Sequence, residues 1–232
     1  MNRQKFWIRL ISGAEDLFLL LLCLLLFLMG GYGLYDSYLV YHQANDDSIL
    51  KYKPGYEGEI PEKVIQGRMV AWLTLDGTGI DYPVMQGESN YEYLNKNPYG
   101  EYSLSGSIFL DCRNSGDFSD DYSLLYGHHM EKGYMFGALD LYRKEEFLKE
   151  HRTGKLIVGD AEREITVLAV LDTLATDEVI FSPDRASREK VLERVLEKNP
   201  EVDLKGNCRL IAFSTCKYPD TAERTVVIGK IE

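Results

Sequence analysis

The chain has 232 residues, 45% of them apolar and 27% charged, with a formal net charge of -11. That is long enough for one or two domains with a real core, and the composition excludes wholesale disorder. The acidity, with no basic stripe anywhere, excludes a nucleic-acid binder, because phosphate contacts need clustered Lys and Arg.

Residues 17–35 (LFLLLLCLLLFLMGGYGLY) carry no charge. As a helix, such a stretch spans roughly 28 Å, the thickness of a bilayer's hydrocarbon core. Arg3, Lys5 and Arg9 precede it, and Asp36, Asp46 and Asp47 follow it. The positive-inside rule puts residues 1–16 in the cytoplasm and everything beyond about residue 36 outside. Gly31 and Gly33 offer small residues for signal cleavage, but the unbroken apolar run favours a retained anchor. Residues 36–66 read as a partly helical linker, broken near KPGYEG at 53–58. Residues 67–232 then form the exterior domain.

Within that domain RMVAWLTL (68–75) alternates as a strand, DGTG (76–79) is turn chemistry, and IDYPVMQ (80–86) is a short strand whose proline suggests a sheet edge. SNYEYLNKN (89–97) has the spacing of one or two helical turns. SGSIFLD (105–111) and YSLLYGHHM (122–130) are β-rich, separated by a polar loop. Residues 135–151 carry apolar groups at helical spacing, and 155–160 with 163–173 read as a hairpin. SREKVLERVLEKN (187–199) is the clearest helix, with Val191, Leu192, Val195 and Leu196 on one face and Ser187 or Asp184 as its cap. CRLIAFSTC (208–216) and RTVVIGKI (224–231) close the chain as strands. The count, about eight strands and few helices, predicts a mainly β sandwich or closed barrel.

The chemistry gathers at strand ends. If 208–216 and 224–231 pair as a hairpin across the loop 217–223, cross-strand Cβ atoms lie about 5 Å apart and Arg224 reaches the region of Cys216. A guanidinium favours the thiolate and can hold a developing oxyanion. Strand parity sends His128 and His129 to opposite faces, so one of them can serve as a base and the other cannot. Adjacent histidines so placed are poor joint metal ligands; there is no CxxC or HExxH and no acidic calcium-type loop, so neither metal nor cofactor is expected. Cys208 lies about 26 Å from Cys216 along an extended strand, which forbids a bond between them. Pairing of Cys112 with Cys208 stays open. On this chemistry alone Cys216 could also be a small buried hydrophobe in a membrane-tethered module that binds a wall or protein partner, or the nucleophile of another Cys-His hydrolase.

The motifs narrow the choice. FSTCKY, LLYGHHM and RTVVIGKI, in the order His, Cys, Arg, resemble those of the sortases, most closely class B, and AWLTLDGTGIDYPVMQG and SGSIFLDCRN resemble its barrel strands. The resemblance spans about residues 66–232, and the helix near 187–199 fits the insertion before the penultimate strand that marks class B. It implies an eight-stranded barrel and a cysteine transpeptidase of a Gram-positive cell membrane. Cys216 would attack after the threonine of a C-terminal sorting signal on a surface protein, His128 would act as acid and base, and Arg224 would stabilise the oxyanion. The acceptor would be a peptidoglycan cross-bridge amine or a pilin lysine. Ser214 and Thr215 are candidates for substrate contact or for positioning the cysteine.

Overall fold

The computed structural model describes residues 3–44, 47–59, 64–65, 68–202, 208–216 and 221–232. The chain divides into two compact units, Met1–His42 and Gln43–Glu232. The boundary expected near 66–67 and most of the loop 217–223 lie outside the described residues.

The first unit is carried by helix α1 (Arg3–Ala44). It runs well past the apolar stretch, because 36–44 holds no glycine or proline to stop it. An 18-residue stretch of it reaches a mean hydropathy of 2.5 with none of that stretch buried. A helix so apolar and so uncovered fits a single-pass membrane anchor.

The second unit is a closed barrel in the order β1-β2-β3-β4-β7-β8-β6-β5, sealed by antiparallel pairing of β5 with β1. Its strands are β1 (Met69–Leu75), β2 (Asp81–Met85), β3 (Ile108–Leu110), β4 (Tyr122–Tyr126), β5 (Thr153–Val158), β6 (Ala161–Leu174), β7 (Arg209–Cys216) and β8 (Glu223–Ile231). Closure leaves no free edge, which corrects the edge placement expected for β2. Pro83 is tolerated because the parallel ladder with β3 starts only at Val84, so its missing N–H removes nothing there.

Alternation sorts the strand side chains into two cores. Leu73, Val84, Leu125, Ile211, Phe213 and Val227 fill the barrel, with Phe136, Leu139 and Tyr142 from a 3-10 helix (Phe136–Arg143) packed against them. Outside, Leu124, Leu168, Leu210, Ala212 and Val226 are covered by helix α3 (Arg185–Lys198) through Val191 and Val195. The Asp184 side chain caps α3 by accepting from Ser187 N at 2.7 Å. Leu196, expected on the buried face, stands 38% exposed, because a helix leaning on one sheet buries only its i, i+4 seam.

The linker after α1 is held to the barrel wall. A short 3-10 helix (Asp47–Tyr52) packs Ile49 on the wholly buried Trp72, and the turn at 53–56 presents Lys53, whose Nζ lies 2.8 Å from Asp81 Oδ1. The same carboxylate oxygen accepts from Trp72 Nε1 and Thr74 Oγ1 at 2.6 and 3.0 Å.

Two local expectations are corrected. Residues 89–97 form successive turns with i→i+3 bonds such as Leu94 N to Tyr91 O, not a helix. The 135–151 segment is two helices, the 3-10 turn-rich one and α2 (Glu145–Glu150), broken at Lys144.

Candidate active site

Strands β7 and β8 place Cys216 and Arg224 directly opposite each other, the last pair of the ladder Arg209↔Ile231 to Cys216↔Arg224. Apolar β-branched residues on both strands favour that extended pairing. Arg224 is a partly buried residue. Its Nη1 donates to Thr221 O at 2.8 Å and to Glu223 O at 3.0 Å, so it folds back over the start of its own strand.

His128 reaches the same barrel end from β4. That strand stops at Tyr126, so neither histidine is a strand residue and the parity argument does not apply. The rings nevertheless diverge. His128 Nε2 lies 2.7 Å from Leu94 O, and His129 Nε2 lies 2.7 Å from Asp140 Oδ2. A carbonyl can only accept, so Nε2 of His128 carries a hydrogen and the neutral ring keeps its lone pair on Nδ1.

The histidine segment is pinned by backbone to β7 on one side and to the start of the 3-10 helix on the other. Gly127 N donates to Ser214 O at 3.2 Å, two residues before Cys216, and Phe136 N donates to His128 O at 3.0 Å. Glycine is required at 127, since a Cβ there would sit 2.7 Å from the Phe136 ring. Gly106, with φ +59, lies so near the 93–94 turn that a Cβ would sit 2.4 Å from Leu94 O, the acceptor of the His128 bond.

Ser214 and Thr215 are each 2% exposed. Ser214 stands in register between Tyr126 and Val226, on the ladder face of position 216. Thr215 opposes Thr225 on the other face, in line with barrel-filling Phe213 and Val227, and its Oγ1 has no partner among the described residues. Cys112 and Cys208 are free thiols, so the bond left open between them is absent.

Beside this end lies a polar centre that sequence reasoning missed. Asp111 is fully buried at the end of β3. Its Oδ1 accepts from Arg113 N and Nε at 3.0 and 2.8 Å, and its Oδ2 accepts from Arg113 Nη2, Asn90 Nδ2 and Tyr126 OH at 2.7, 2.9 and 2.9 Å. Burial pushes this carboxyl upward, but the Arg113, Asn90 and Tyr126 donors outweigh it and hold it below the ordinary range. Burial and then Asp111 push the Tyr126 phenol up, so it stays a donor. Tyr126 stacks on Phe181 at 6.3 Å between centroids, and Arg113 Nη2 donates to Phe181 O at 2.7 Å. The buried network thereby fixes the residue just before Gly127 and His128. An aspartate ending the apolar run SIFLD was its only sequence signal.

A closed mixed barrel with cysteine and arginine paired at one ladder end, and a histidine tied to the same strand, defines a scaffold for thiol chemistry. The comparisons say which. The chain is 35% identical over 170 residues to the sortase B of Listeria monocytogenes, covering 70% of this chain and 69% of that protein. It is 32% identical over 171 residues to the sortase B of Staphylococcus aureus, covering 70% of each. Among solved structures, a Streptococcus pyogenes class B sortase involved in pilus biogenesis superposes with a TM-score of 0.66 at 42% identity, covering 72% of this chain and 94% of that one. A Staphylococcus aureus sortase B–substrate complex gives 0.66 at 31% identity, covering 72% and 81%. No family model matches the chain. The chain belongs to the class B sortases, and is a cysteine transpeptidase.

Proposed function

We propose that Cys216, His128 and Arg224 carry this transpeptidation, on C-terminal sorting signals outside the membrane. The observation that carries the reading is the Cys216↔Arg224 pair at the ladder's end, with the His128 segment bonded to Ser214 of the same strand. The Cys216 thiolate attacks the carbonyl of the signal's threonine. As the tetrahedral centre collapses, the C–N bond breaks and protonated His128 gives its hydrogen to the departing amine. The acceptor amine then attacks the thioester, the neutral imidazole takes its proton, and the thiolate leaves. Arg224 and a backbone N–H hold the oxyanion in both steps, roughly 3 kcal/mol per donor. The Nε2–H···O=C bond to Leu94 fixes the ring and leaves Nδ1 as the nitrogen for proton transfer.

Ser214, on the face of position 216, lies next to bound substrate and, being almost fully buried, acts chiefly by setting the strand there, whereas Thr215 faces the barrel and positions the strand from behind. Residues 1–16 lie in the cytoplasm, 17–35 span the membrane, 36–66 form the linker and 67–232 the catalytic barrel, an orientation supported by Arg3, Lys5 and Arg9 before the span. The acceptor is a primary amine. One sortase B has been solved in complex with triglycine, and the Streptococcus pyogenes relative is involved in pilus biogenesis, so a cross-bridge glycine and a pilin lysine are the two sources to compare.

The test uses the full chain in detergent micelles, a library of fluorogenic peptides centred on a Thr–Gly or Thr–Asn bond, and triglycine or a lysine peptide as acceptor. The expected result is cleavage after threonine and an amide product with one acceptor. Failure to process any member of the library would overturn the sorting-signal reading.

A further inference from the structure

Arg143, at the end of the 3-10 helix, joins three parts of the barrel end that are remote in sequence. Its Nη1 and Nη2 donate to Asp172 Oδ2 and Oδ1 at 3.1 and 2.5 Å, a two-pronged pair with β6. Nη2 also donates to Thr225 Oγ1 of β8 at 2.6 Å, and Nε donates to Asp140 Oδ1 at 3.3 Å. The other oxygen of Asp140 accepts from His129 Nε2 at 2.7 Å. One guanidinium is therefore linked to the residue after His128 and to the residue after Arg224. Thr225 in turn opposes Thr215, the residue before Cys216. Thr225 is fully buried, and the Asp172 carboxylate raises the pKa of the Arg143 guanidinium above its already high ordinary value.

We propose that Arg143, acting with Asp140, is a positioning residue for transpeptidation, holding the His128 segment and the β7–β8 strand ends in one fixed relation. The inference rests on the assignment of Cys216, His128 and Arg224 given above. The geometry explains why arginine stands here. Only a planar fork can serve a carboxylate with two nitrogens, a hydroxyl with one of these and a second carboxylate with the third nitrogen. Consecutive Cα atoms are about 3.8 Å apart, so a side chain fixed at 129 or 225 restricts the backbone of its neighbour directly. Proton transfer and oxyanion stabilisation depend steeply on such placement, and a misplacement of about 1 Å can cost on the order of a hundredfold in rate. Thr225 lies on the ladder face opposite that of position 216, so the effect is expected on turnover rather than on binding.

The test measures kcat and KM of the full chain in micelles with the fastest peptide of the library and triglycine. Arg143→Met and Arg143→Lys should each lower kcat by roughly ten- to a hundredfold with KM within about twofold. His129→Ala should lower kcat by about fivefold, and His129→Gln, whose amide nitrogen can donate to Asp140 as Nε2 does, should restore it to within about twofold of the parent. Thr225→Val, nearly the same shape without the acceptor, should lower kcat by several-fold, and it keeps the test decisive if the Arg143 variants fold poorly. Unchanged kcat in Arg143→Met, or in both Thr225→Val and His129→Ala, while Cys216→Ala and His128→Ala are inactive, would overturn this inference alone. Turnover surviving in Cys216→Ala would overturn the assignment beneath it.

Discussion

Replacing Asp111 by asparagine removes one charge from a site with no exposure and five donors. An amide has a single accepting oxygen, so its NH2 must face donors wherever it turns. Placed toward Arg113 N and Nε it forfeits two bonds; placed the other way it forfeits three. Hydrogen bonds to a charged group contribute about 1.5–3 kcal/mol each. Because the Arg113 side chain is 50% exposed it regains some solvation, which brings the expected loss to about 3 kcal/mol. For a domain of this size that lowers the thermal midpoint by roughly 6–12 °C, measured by circular dichroism of the full chain in micelles at pH 7. The sign with pH follows from the depressed carboxyl. The contribution of Asp111 is complete above the unfolded-state pKa near 4 and fades as pH falls through the lower folded value, so parent and variant should converge in acid. A midpoint shift under about 2 °C at pH 7, or a gap that widens in acid, would refute this reasoning.

Further outcomes are expected. His128→Ala should lose activity at least a hundredfold more than His129→Ala; equal losses in peptide cleavage would contradict the proton-transfer role of His128. Gly106→Ala, whose Cβ would press on Leu94 O and whose backbone sits at φ +59, should lower kcat by about tenfold by releasing the His128 ring. A kcat unchanged in that variant would show that the Leu94 bond does not matter. Phe136→Ala, which removes an edge-on contact to Phe213 at 6.0 Å between centroids, should destabilise the barrel by about 3–5 kcal/mol in denaturant titration. A cost below about 1 kcal/mol would mean that the 3-10 helix is not part of the core.

Much of the barrel was legible because its signals are local. The alternation in 68–75, the hairpin of β5 and β6, and the final two strands, with Cys216 placed against Arg224, follow from period and turn chemistry. What failed was whatever depended on closure or on a chain reversal. Pro83 reads as an edge residue, yet only the extent of the β3 ladder decides its cost. The histidine pair reads as strand, but Gly127 ends β4 and the rings are oriented by Leu94 and Asp140, partners far away in sequence. Residues 89–97 have helical spacing, but the Asn90 side chain bonds Cys112 N and Asp111 instead, so tertiary contacts hold turns there. Arg143 carried little signal, since beyond its local i, i+3 neighbour Asp140 its partners at 172 and 225 meet it only once the barrel is closed.

On the proposed mechanism an acyl group passes through the sulfur of Cys216. The most direct test of this step is intact-mass and peptide-mass measurement on the full chain quenched in acid during turnover, without an added amine. A thioester adduct of the signal's N-terminal fragment on the peptide containing Cys216, discharged when triglycine is supplied, is the predicted result. Cleavage of the same peptide by Cys216→Ala at the parent's rate would contradict it.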